Sequence, residues 1–221
     1  MKEVVIFGVG SYAKLAHAYL TSDSPYRPVA FAIDPEHAGE PEMLGVPVVR
    51  SDQLADLYPP DRFAMLVAVG YRRVNKGRTD VYERCKKMGY SFVTYVHSSV
   101  LRTRPSEIGE NTFVFEAAVI QPYAAVGNNC VLWSGCQILH DSVIEDHCFI
   151  GSQSVIGGYA TIGRSSFVGL NATIRDHIKV APSSVIGAGA TIMKDTEAGA
   201  IHSMRSTDRN LSKHANDLDD L

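Results

Sequence analysis

From Ile108 onward the chain repeats in sixes, and that period restricts the possible folds more than any other feature. The leading positions are Ile108, Val114, Ile120, Val126, Leu132, Ile138, Ile144, Ile150, Ile156, Ile162, Val168, Ile174, Val180, Ile186 and Ile192, all fifteen β-branched or leucine. Four residues after each comes a second series running from Thr112 through Ala118, Cys130 and Ser142 to Thr196. Fourteen of these fifteen residues are small, and only Ile178 breaks the rule. Glycine often follows the leading residue, as at Gly127, Gly151, Gly157, Gly163, Gly169 and Gly187.

An amphipathic helix repeats at 3.6 residues and a half-buried strand at 2, so neither produces a strict six. A large apolar residue and a small one in each six describe a short flat strand followed by a tight turn. The large residue fills the interior, the small one fits the crowded corner, and the glycine is expected to take up unusual turn dihedrals. Three such strands close one triangular coil of 18 residues, and successive coils stack by roughly 4.8 Å through backbone hydrogen bonds. Fifteen hexapeptides over residues 108–196 therefore predict a parallel β-helix of five coils.

The first hundred residues follow a different pattern. Val4–Gly10 (VVIFGVG) reads as a buried strand ending in a glycine turn, and a helical stretch follows with Ser11 as its expected N-cap. PVAFAID ends a second strand at Asp34, and FAMLVAVG ends a third at Gly70. A helix is predicted from about Asn75 to Met88, followed by a strand over SFVTYVH. Alternating strands and helices imply a small parallel α/β sheet, in which ligands sit beyond the carboxyl ends of the strands. Gly8, Gly10, Ser11, Asp34 and Gly70 would then surround one crevice. Gly8-x-Gly10 lacks the third glycine of a dinucleotide fingerprint, since position 13 is Ala13. Asp34 stands 24 residues beyond Gly10, near the spacing of a ribose-binding acid. Taken singly, a tight turn and a capping aspartate explain these residues as well as a nucleotide does.

The chain is 221 residues long, 20% charged and of formal net charge −3, with no basic cluster, which argues against nucleic acid as a partner. No apolar run reaches the roughly 18 residues of a membrane span. MKEVVIFGVG reads as a first strand and not as a leader. Cys85, Cys130, Cys136 and Cys148 have no zinc-type spacing and are expected to be reduced thiols in the cytoplasm.

The hexapeptide run, together with VIFGVGSYAK, FAID and ILHDSVIEDHCFIG (residues 138–151), resembles the sialic-acid O-acetyltransferase and bacillosamine N-acetyltransferase family of hexapeptide-repeat sugar acyltransferases. The resemblance implies three regions. Residues 1–98 form a Rossmann-like nucleotide-sugar-binding domain, 99–200 a left-handed β-helix that binds acyl-CoA, and 201–221 a polar tail. It also implies a homotrimer, acetyl-CoA or another acyl-CoA as co-substrate, no metal, and a place in lipopolysaccharide or O-antigen biosynthesis. Gly8, Gly10, Ser11, Tyr12, Asp34 and Gly70 would bind the sugar nucleotide; Tyr12 stands where the family often has histidine. His140, followed by Asp141, would be the general base that takes a proton from a sugar amine or hydroxyl, a task for which a near-neutral pKa suits histidine.

Coil register adds Gly158, Asp176 and Lys194, which lie one, two and three coils beyond His140 along the path of a pantetheine arm. The Gly158 N–H would serve an oxyanion, and Lys194, Arg205 or Arg209 would meet CoA phosphates. Trp133 and Phe149 replace an asparagine and a second histidine common in the family, which suggests an altered pocket. His147 and His177 fall out of register with His140 and are read as surface or interface residues. Three other readings compete: a γ-carbonic-anhydrase-type zinc enzyme, a non-catalytic sugar-nucleotide scaffold, and an O-acyltransferase. The first needs two histidines five apart, a spacing absent among the eight histidines.

Overall fold

The computed structural model of the chain describes residues 2–37 and 39–204. The polar tail with Arg205 and Arg209 lies outside them. Strand β1 (Lys2–Phe7) is followed by helix α1 (Ser11–Ser22), β2 (Tyr26–Ile33), β3 (Glu42–Met43), β4 (Val46–Arg50), α2 (Leu54–Leu57), β5 (Ala64–Val67) and α3 (Lys76–Lys87). The sheet order is β3-β4-β2-β1-β5, parallel except for β3. The runs Val4–Phe7 and Ala64–Val67 are buried throughout, as strands covered on both faces must be. The β3–β4 hairpin turns on Leu44 (φ 53°) and Gly45 (φ 78°), two successive residues at positive φ, and the sequence reading did not find it.

SFVTYVH does not form one strand. Phe92 bridges Met65 in the α/β sheet, while Tyr95–Val96 pairs with Phe113–Val114 and opens the β-helix. The β-helix has three parallel sheets of seven, six and five strands. Its pairings run in steps of 18, such as Ile120 to Ile138 to Ile156 to Ile174. The five coils read from the hexapeptides are therefore extended by Tyr95–Val96 and Leu101–Arg102 at one end and Ile201–His202 at the other. The leading residues from Val114 to Ile192 form a buried column with the small residues beside them. Cys130, Cys136 and Cys148 belong to that column, and all four cysteines are buried free thiols. No helix among the described residues is long and apolar enough to cross a membrane.

The corners differ from the sequence reading. The glycines after the leading residues do not take positive φ. They are needed because a Cβ there would collide with the next coil: at Gly151 it would lie 2.7 Å from the Gly169 carbonyl carbon, and at Gly169 2.6 Å from the Ala188 nitrogen. The left-handed dihedral falls two residues later. It recurs every six residues from Asn111 (φ 52°) to Gly189 (φ 69°), mostly in non-glycine residues.

The α/β domain covers the seven-stranded face from Tyr95–Val96 as far as Phe167–Val168. Tyr19 donates to Glu116 at one corner of that face (2.7 Å). At the other corner, buried Arg78 donates to the carbonyls of Asn129, His147 and Cys148 (3.2, 3.0 and 3.2 Å). Between them Phe113, Phe115, Val131 and Phe149 pack in one cluster with Val4, Ile6, Ala13 and Leu66. A ladder at the Arg78 corner completes the seam: Asn111 bonds the Val67 backbone, Asn129 accepts from Asn111 (2.7 Å), and Asn129 donates to His147 Nδ1 (3.0 Å).

Candidate active site

His140 sits on the corner where the six-stranded face meets the five-stranded one, between Gln137–Ile138 and Val143–Ile144. That corner is the vertex of the triangle opposite the face covered by the α/β domain. Its side chain is 52% exposed, and Nδ1 lies 3.0 Å from Asp141 Oδ2. An ionised carboxylate only accepts, so the neutral ring carries its proton on Nδ1 and keeps the Nε2 lone pair available. Asp141 reaches back because it occupies the left-handed slot (φ 58°), which a short polar side chain tolerates. The His140 backbone N–H donates to Gln121 Oε1 at 3.0 Å, a positioning contact the sequence reading missed.

Gly158 lies one coil on, directly beneath the imidazole. A Cβ at this position would stand 2.8 Å from both Cε1 and Nε2 of His140. The absent side chain thus makes room for the ring. Gly158 accepts from the His177 N–H at 2.9 Å, while its own N–H has no partner among the described residues. One corner therefore combines an imidazole nitrogen with a backbone donor, buried beneath the ring, that has no protein partner among the described residues, a pairing suited to acyl transfer. Asp176 and Lys194 are exposed further along the same column, with Asp176 flanked by Arg175 (3.8 Å) and His177 (3.9 Å).

Gly8, Gly10, Ser11, Asp34 and Gly70 come together at the carboxyl ends of β1, β2 and β5. Gly8 is fixed by its backbone: φ is 126°, and a Cβ would lie 2.6 Å from the Ala68 carbonyl oxygen. The N-cap of α1 is Gly10, not Ser11, and no side chain caps the helix. Nothing lies within 4 Å of a Cβ built on Gly10, and the first-turn N–H groups of a helix have no acceptor within the helix. Asp34 Oδ1 accepts from Ser51 (2.7 Å) and pairs with Arg84 (2.6 Å), leaving Oδ2 without a partner among the described residues.

Tyr12 turns away from this crevice into the seam. It stands edge-on to Phe113 at 5.8 Å, and its buried hydroxyl has no partner among the described residues. Burial pushes that hydroxyl's pKa up. Trp133 and Phe149 also lie in the seam, stacked on Phe115 (4.3 Å) and Phe167 (4.9 Å), and not at the His140 corner. His147, expected at a surface or interface, is 2% exposed beneath α3. Burial lowers its pKa below 6.5. His177 is exposed, stacked on Tyr159.

Residues 123–158 match the bacterial transferase hexapeptide (six repeats), and residues 159–194 match the hexapeptide repeat of succinyl-transferase. Among solved structures, the chain is similar to a variant of GDP-perosamine N-acetyltransferase from Caulobacter crescentus in complex with CoA and GDP-perosamine. The identity is 22% and the TM-score 0.80, over 91% of this chain and 93% of that one. The acetyltransferase domain of PglB from Neisseria gonorrhoeae is 21% identical with a TM-score of 0.78, over 91% and 96% of the two chains. No curated protein sequence matches significantly. At these identities the likeness establishes the fold: an α/β domain ahead of a left-handed β-helix. Residues 123–194 thus carry hexapeptide repeats of the transferase type, and the fold agrees with them.

Proposed function

We propose that this protein transfers an acetyl or other short acyl group from acyl-CoA to the amino group of a nucleotide-linked amino-deoxysugar. The observation that carries the reading is the His140 corner: Nδ1 is held by Asp141, and Nε2 stands over Gly158, whose N–H is free of partners among the described residues. The acceptor nitrogen attacks the thioester carbon while His140 Nε2 takes its proton. The carbonyl electrons move onto oxygen, where the Gly158 N–H stabilises the developing charge. Collapse expels the CoA thiolate, which recovers the proton from His140. Asp141 keeps the imidazole in the required tautomer and stabilises the imidazolium. The exposed column of Asp176 and Lys194 offers the path for the rest of CoA, with the lysine available to a phosphate.

The crevice of Gly8, Gly10, Ser11, Asp34 and Gly70 suits a nucleotide, with phosphate at the open start of α1 and the free Asp34 oxygen on a ribose or base. The neighbours solved with CoA and GDP-perosamine support this assignment of substrates. Crevice and base lie on opposite sides of the same triangular prism, so one chain's nucleotide is best served by another chain's His140. A homotrimer acting in the cytoplasm fits that division. The test is thiol release from acetyl-CoA by the purified chain with UDP-, dTDP- and GDP-linked amino sugars. Release that depends on one amino sugar supports the reading; its absence with every acceptor refutes it.

A further inference from the structure

The left-handed slots between residues 111 and 189 are filled unevenly around the prism. At the corner joining the seven- and six-stranded faces they hold Ala117, Gly135, Gln153, Asn171 and Gly189. At the Arg78 corner they hold Asn111, Asn129, His147, Ser165 and Ser183. These carry no aromatic ring apart from His147, which is buried in the seam. At the His140 corner the slots hold Tyr123, Asp141, Tyr159 and His177. A bulky ring at positive φ is disfavoured, and a ring left half exposed gains little from burial to offset that strain. Tyr159 has φ 57° and is 52% exposed.

The Tyr159 ring is held by its neighbours. It lies parallel to His177, one coil on, with centroids 4.8 Å apart and planes 3° from parallel. On its other side it meets the His140 imidazole at 5.4 Å and 86°, an edge-to-face contact. Asp141 holds only Nδ1, and Gly158 provides only space beneath the ring. A half-exposed histidine with those two constraints alone is free to swing toward solvent on a picosecond-to-nanosecond timescale.

We infer that Tyr159, backed by His177, is a positioning residue that holds the His140 imidazole over Gly158. The stack on His177 fixes the tyrosine, and the tyrosine closes the side of the imidazole left open. The contact is made by the aromatic ring and not by the hydroxyl, so phenylalanine should replace tyrosine. The consequence for rate rests on the proposed acyl transfer; the consequence for the ring does not.

The test uses Tyr159→Phe, Tyr159→Ala, His177→Ala and the Tyr159→Ala/His177→Ala pair in the full chain. Tyr159→Phe should keep kcat within about twofold, whereas Tyr159→Ala should lose roughly tenfold to a hundredfold in kcat with the acetyl-CoA KM unchanged. His177→Ala should lose less, and nothing further once Tyr159 is alanine. Long-range 15N–1H spectra of 15N-histidine-labelled protein should show Tyr159→Ala populating the second His140 tautomer and losing the ring's contact to Gly158. A loss confined to KM, or full kcat in Tyr159→Ala while His140→Ala is inactive, overturns the inference and leaves acyl transfer standing. If the wild-type chain acylates no amino sugar, the functional reading fails and the spectra decide alone. Unchanged tautomers and contacts in Tyr159→Ala would then overturn the positioning role.

Discussion

Replacing Gly158 by alanine separates the chemistry of the corner from its architecture. The new Cβ would stand 2.8 Å from Cε1 and Nε2 of His140, against about 3.5–4.0 Å for comfortable contact between such atoms. The obstacle is a half-exposed side chain, which can move by roughly 1 Å at little cost to the fold. A displacement of that size at a reacting group costs about a hundredfold in rate. Gly158→Ala should therefore lower kcat by about two orders of magnitude, keep the acetyl-CoA KM, and melt near the wild-type temperature. Gly169→Ala is the control. Its Cβ meets the Ala188 backbone nitrogen at 2.6 Å, where nothing can yield without opening two coils. Overpacking of that kind costs about 1–3 kcal/mol of stability and should lower Tm. Steady-state thiol release and thermal melting on both variants decide the matter. Gly158→Ala with near-normal kcat, or with a Tm loss matching that of Gly169→Ala, would show that Gly158 serves only the stacking of coils.

If Asp34 holds the nucleotide as proposed, Asp34→Ala should raise the sugar-nucleotide KM with little change in kcat, as loss of a contact shared by ground and transition states does; an unchanged KM would leave Asp34 as the partner of Arg84 and Ser51 alone. Arg78→Met keeps apolar bulk but strips three carbonyls and Asn75 Oδ1 of their buried donor. The cost should be about 3 kcal/mol in urea unfolding, and a wild-type midpoint would show that the seam holds without it. His147 has its pKa lowered in the folded state, so the unfolded chain binds the proton more readily. Its contribution is complete above pH about 6.5 and is lost as pH falls from there through the folded value. His147→Asn preserves the ladder without a titrating group, so its urea midpoint should fall less than wild type between about pH 7 and 5; parallel curves would contradict the assignment.

The β-helix was legible in the sequence because Ile, Val and Leu at period six can point only inward, and period 18 then places Gly158 over His140. The left-handed slot was not legible, since Asn, Ala, Tyr, Asp, His, Gln and Ser share no chemical type and the slot is defined by backbone alone. Glycine misled for the same reason. Its regular place after the leading residue suggested a dihedral requirement, when the requirement is distance to the neighbouring coil. The seam was also hidden. Nothing in the spacing says which face of the prism the α/β domain covers, and that choice buries Arg78, Tyr12 and His147 and turns Trp133 and Phe149 away from the His140 corner. That Gly8, Asp34 and Gly70 follow the carboxyl ends of neighbouring strands was readable because strand ends in a parallel α/β sheet converge by topology.

Acyl transfer as proposed requires His140 to take the acceptor's proton. Its most direct test is kcat for His140→Ala with the amino-sugar nucleotide that the wild-type chain acylates. The side chain projects from a corner and fills no interior position, so the fold and the acetyl-CoA KM should be preserved while kcat falls by about 10²–10⁴. A His140→Ala protein that retains most of its kcat at neutral pH would contradict the claim.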